Sequence, residues 1–159
     1  MNTAVLPKSV DEVQKWLTRH GFVNQVKLLT DSAGTAKEAA KVLSCKIEQI
    51  AKSLIFKTEN NKPILVVAGG ENMVNLEKLM EIVGEKVEKA TADFVKETTG
   101  FSIGGVPPMA YKQKVEAFVD KDLMEHGEIW AAAGDPKAVF KLTPDDLVKI
   151  TCGKVVEIE

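Results

Sequence analysis

The chain has 159 residues, 45% hydrophobic and 28% charged, the make-up of a single globular domain over residues 1–159 with a full core. Its net charge is −2 and Arg19 is its only arginine, so it has neither a broad basic field nor the forked guanidinium contacts that duplex DNA recognition uses. Cys45 and Cys152 are too few for a zinc motif, no apolar run is long enough to span a membrane, and no signal-like N-terminal pattern is present. These features lead us to expect a cytoplasmic protein with reduced thiols, no metal and no other cofactor.

The first helix is expected from a capping box at Ser9 and Glu12, with Val10, Val13 and Leu17 on one face and a stop at Gly21. His20 falls in its last turn, where a cation suits the helix dipole, and reads as structural. A short strand follows near 25–29. Thr35 and Glu38 form a second capping box, opening a helix whose stripe of Ala36, Ala39, Ala40 and Leu43 is narrow enough to lie close on a sheet. One more helical turn is expected over 47–50.

Residues 50–57 and 63–68 flank a polar turn and read as a hairpin of central strands, apolar on both faces. Alternation puts Lys52 on the face of Leu54 and Phe56. An ammonium there is either snorkelling at a strand end or aimed into a pocket. Asn75 caps a helix closed by Gly84, a brief strand is expected over 87–90, and Thr91 caps a short helix to Thr98. Strands are then expected over 115–120, 129–133 and 138–142, and an edge strand over 155–158. Pro144 starts the last helix behind Thr143. His126 ends a helical turn and also reads as structural. Hairpins interleaved with short helices give a mixed α/β (α+β) domain.

Residues 100–111 carry Gly104 and Gly105 followed by Pro107 and Pro108. Glycines allow positive φ and close approach, and consecutive bare N–H groups make a small cradle for an anion or a carbonyl oxygen. The same spacing also suits a tight connecting loop.

Four blocks occur in order: Thr35-Ala-x-x-Ala-Ala; Ile50-Ala-Lys-Ser-Leu-Ile-Phe; Gly100-Phe-x-Ile-Gly-Gly-Val-Pro-Pro; and Ala132-Ala-Gly-x-Pro-x-Ala-Val-Phe-x-Leu-Thr-Pro-x-Asp-Leu. Together they resemble the YbaK / prolyl-tRNA-synthetase-associated editing domain family over most of the chain. The resemblance implies a curved mixed sheet or open barrel flanked by helices, and hydrolysis in trans of the ester of mischarged tRNA, typically of prolyl tRNA. It implies catalytic roles for Lys52, Gly104 and Gly105. It places the substrate near Ser102, Val106, Pro107, Pro108, Tyr111, Gly134 and Lys137, with the loop holding the terminal adenosine and the carbonyl end of the aminoacyl group.

That chemistry suits the residue types. Backbone N–H groups can stabilise the oxyanion of ester hydrolysis, and a lysine can hold a carbonyl or phosphate as a point charge. No Ser–His–acid or Cys–His arrangement is evident, and the resemblance implies water attack assisted by the substrate's own ribose hydroxyl. Many relatives carry histidines where this chain has Tyr111 and Lys137, so a non-catalytic module that binds aminoacyl-tRNA or a synthetase is the alternative. The expected partners are the acceptor end of aminoacyl-tRNA and a synthetase or elongation factor that recruits the protein, since net negative charge predicts weak unaided tRNA affinity.

Overall fold

The computed structural model describes residues 6–159. In chain order the elements are α1 (Lys8–Arg19), β1 (Val26–Leu28), α2 (Ala36–Leu43), β2 (Ile50–Thr58), β3 (Pro63–Gly69), α3 (Leu76–Val83), β4 (Val87–Lys89), α4 (Ala92–Thr99), β5 (Glu116–Asp120), β6 (Ile129–Ala132), β7 (Ala138–Leu142), α5 (Pro144–Thr151) and β8 (Lys154–Val156). Short 3-10 turns at Ile47–Gln49 and Lys121–Glu125 lead into β2 and out of β5.

Helix starts follow the capping residues. The hydroxyls of Thr35, Thr91 and Thr143 and the amide oxygen of Asn75 each accept from the backbone N–H three residues on. The exception is α1, expected from a box at Ser9. It begins two residues earlier, with Pro7 in the cap position and no side-chain cap. Packing compensates: Val10, Val13 and Leu17 are fully buried, each contributing roughly 1.5–3 kcal/mol. At its other end His20 stacks on Trp16 at 3.8 Å between ring centroids, with Nδ1 2.8 Å from the Trp16 carbonyl oxygen.

The strands form one mixed sheet in the order β1-β7-β6-β2-β3-β5-β8, with β4 added beside β2. The β2–β3 hairpin is its centre, and every residue of β3 is buried. On one face, Ala51, Ile55, Leu65, Val67, Val119 and Phe140 share a core with α1, α5 and the 101–109 segment. On the other face, α3 covers Phe56, Ile64, Val66 and Phe118, while α2 covers Ile50 and Trp130.

One interruption matters for everything that follows. β3 pairs with β2 from Ala51 to Lys57. On the opposite edge, β6 pairs only with Ile50 and Ala51, and β4 only with Phe56 to Thr58. Between them the ladder is broken beside residues 52–55, where, among the described residues, the Ala90 N–H reaches across to the Ile55 carbonyl at 3.2 Å. Among the described residues no helix is long and apolar enough to cross a membrane.

Candidate functional site

A cavity of about 470 Å³ opens at this break in the ladder. Lys52 enters it from β2, and Gly104 enters from the glycine–proline loop. Its wall towards α2 is made of small apolar residues, among them Ala36, Ala39, Ala132 and Val139. Met73 and Ile103, at 75% and 61% exposure, stand among its lining residues as an apolar rim. The charged side chains lining it are Lys52 and Lys89; no Asp, Glu, His or Cys does so. Among the described residues Lys52 forms no ion pair, so its charge is available to a ligand. A positive, otherwise apolar hollow favours a neutral or anionic polar group.

The loop is fixed from several directions. Gly104 takes φ +97°, a conformation that side chains with a Cβ resist. At Gly105 the constraint is space, because a Cβ would lie 2.7 Å from the Asp135 nitrogen. The Gly105 N–H donates to the Ser102 carbonyl at 3.1 Å, and the Gly105 carbonyl accepts from the Gly134 N–H at 2.9 Å. The pair of bare amides expected at Gly104 and Gly105 is therefore reduced: the second closes the turn, and its oxygen ties the loop to the 134–137 turn. Gly134 in turn lies against the Ser9 carbonyl, which would meet a Cβ at 2.6 Å.

The remaining sequence-derived positions separate. Val106 lines the cavity with Gly104. Pro107 is buried, and Ser102 and Lys137 are exposed and away from the cavity lining. The backbone N–H of Lys137 donates to Asp135 Oδ1 at 2.9 Å, which shapes the turn. Pro108 and Tyr111 line a different hollow of about 420 Å³. The Tyr111 hydroxyl donates to the Pro107 carbonyl at 2.5 Å, clamping the loop, while the residue between it and Met109, Ala110, is held at φ +69°. Burial pushes the Tyr111 pKa up, and the neighbouring Ser53 hydroxyl pulls it back only in part. That hydroxyl itself is buried without a hydrogen bond of good geometry.

Several lining residues carried no signal in the sequence. Lys89 sits opposite Phe56 in the β2–β4 register. Asn72 reaches the cavity because its amide nitrogen is held at 2.9 Å by both Asp120 Oδ2 and Asp122 Oδ2. Asp120, itself buried, also accepts from the Gly69 N–H at 2.9 Å and so fixes the turn after β3.

The sequence profile described as the aminoacyl-tRNA editing domain matches residues 30–150. The chain belongs to this family. A solved structure described as a "putative trans-editing enzyme for prolyl tRNA synthetase" superposes with a TM-score of 0.92 at 38% identity, covering 98% of this chain and 99% of that one. The uncharacterized protein YwhH of Bacillus subtilis (strain 168) is 30% identical over 92% of this chain and 94% of its own. The "Putative Cys-tRNA(Pro)/Cys-tRNA(Cys) deacylase EbsC" of Enterococcus faecalis is 26% identical over 78% of this chain and 76% of its own. The editing-domain fold is thereby established for this chain.

Proposed function

We propose that the protein is a trans-acting deacylase that hydrolyses the ester of mischarged tRNA, of the prolyl-tRNA type that its relatives' descriptions name. The observation that carries this reading is the shared cavity: the Lys52 ammonium and the Gly104 turn line one hollow that has no acidic side chain. Ester cleavage by water places negative charge on the carbonyl oxygen. Lys52 and the backbone at Gly104 are the groups in the lining able to stabilise it. The Gly105 N–H is spent inside the turn, so its residue serves by position. The lining has no carboxylate, histidine or cysteine to act as general base, so the proton lost by the attacking water is relayed through the substrate's vicinal ribose hydroxyl to the departing ester oxygen, which leaves as the tRNA's free hydroxyl as the acyl–oxygen bond breaks. The enzyme then contributes orientation and electrostatics.

Such a sieve is useful because binding alone discriminates similar amino acids by only about 1–3 kcal/mol. The negative net charge favours recruitment by a synthetase or elongation factor, with direct contact confined to the acceptor end. The test is release of amino acid from a panel of mischarged tRNAs by the wild type and by Lys52→Ala. Loss of about a hundredfold or more in rate is expected for the variant. An unaffected variant, or no turnover on any tRNA, sinks the proposal. The lack of any base in the lining favours one second reading, a module that binds aminoacyl-tRNA without cleaving it. Tight binding with the ester intact in the same assay selects that reading.

A further inference from the structure

The break in the ladder leaves the backbone N–H and carbonyl of Ser53 on the side of the cavity. Along a strand, successive carbonyls point to opposite edges. The Ile50 carbonyl accepts from the Gly70 N–H at 2.7 Å, so even-numbered residues of β2 direct theirs towards β3. The Ile55 carbonyl accepts from Ala90 at the other edge, so odd-numbered residues face β6 and β4. Ala51 is covered by β6 and Ile55 by Ala90. Ser53 lies between them. Gly134, whose N–H would be next in line from the β6 side, donates instead to Gly105. The Ser53 carbonyl is left as an acceptor at the cavity, beside its own N–H, while its hydroxyl lies next to Tyr111.

We infer that the Ser53 carbonyl receives the α-amino group of the aminoacyl ester, so that the site takes esters with a free amine and rejects N-acylated or amine-free ones. The inference rests on the deacylase reading of this cavity. An aminoacyl ester has three polar or bulky groups around its α-carbon, and the cavity offers a match for each. Gly104 and Lys52 suit the carbonyl, the small wall of Ala36, Ala39 and Ala132 suits a side chain, and Ser53 suits the amine. No carboxylate lines the cavity and Lys52 and Lys89 disfavour a further cation there, so the amine enters in its neutral form and donates an N–H to the carbonyl. A ligand that displaces water from an orphan carbonyl without replacing its hydrogen bond loses affinity.

The experiment uses three non-hydrolysable adenosine 3′-amides as probes: alanyl, propionyl, which lacks only the amine, and N-acetylalanyl. Calorimetric binding to the wild type is expected to weaken roughly ten- to a hundredfold from alanyl to either of the others. The ¹³C shift of the Ser53 carbonyl is expected to move with the alanyl probe and to stay with the propionyl probe. Ser53→Ala keeps the carbonyl and is expected to keep the preference. Equal binding of alanyl and propionyl probes, an unmoved carbonyl shift, or a preference that vanishes in Ser53→Ala overturns the assignment. The first two leave the hydrolysis assay on charged tRNA untouched, so the deacylase reading survives them. Failure of all three probes to bind overturns the assignment together with the cavity's role.

Discussion

At the scale of single residues, the site is a case of few groups with fixed surroundings. Gly105 makes the sharpest stability test. A Cβ there meets backbone of Asp135, not a flexible side chain, so one of two tied loops must move. Gly105→Ala is expected to cost about 1–3 kcal/mol in denaturant unfolding and to lower deacylation as well. Tyr111 is the chain's one tyrosine, so tyrosinate absorbance reports it alone. Its folded pKa is raised by burial above the ordinary value near 10. The neutral form therefore stabilises the fold fully below about pH 10, and that contribution is lost as pH climbs towards the folded value. The expected result is no tyrosinate signal until the protein unfolds in alkali, and a weaker alkaline loss of stability in Tyr111→Phe. A normal titration near pH 10 in the folded protein contradicts this. Lys52 was legible in the sequence as a lysine on an apolar strand face, because alternation fixes facing. Lys89 was not, because only the β2–β4 register brings it to the same hollow.

Among the elements, helix starts were read correctly wherever a side chain supplies the cap, at Thr35, Asn75, Thr91 and Thr143. The reading failed at α1, where Ser9 and Glu12 have the right spacing but burial of the helix face, not capping, decides the start. The cap at Thr35 has functional weight because α2 walls the cavity. Thr35→Ala is expected to lose about 1 kcal/mol of stability and to weaken binding of an alanyl-adenosine amide. A thermal melt and a binding isotherm on the same variant check both, and an unchanged melting temperature counts against the cap's role. The hairpin of β2 and β3 was visible as two apolar runs around a polar turn, whereas the break beside residues 52–55 was not. It arises from where β6 and β4 stop, and pairing between strands distant in sequence leaves no local pattern.

For the whole molecule, charge sets what the protein can hold unaided. With a net charge of −2, stand-alone binding to a tRNA minihelix is expected to be weak, with a shallow dependence on salt reflecting one or two phosphate contacts. Titrations at 50 and 200 mM salt measure the slope, and tight binding that falls a thousandfold between them rules the expectation out. The mixed sheet flanked by helices was legible because hydrophobic runs, caps and turns agree along the chain. Strand order was not, since β1 joins β7 and β5 joins β8 across long stretches of intervening sequence. The meeting of Ser9, Gly105 and Gly134 carries that non-locality to the glycine–proline loop beside the cavity. Three peptide units far apart along the chain abut at one point, so a growing polypeptide can settle the glycine–proline loop into its final shape only after Gly134 has left the ribosome.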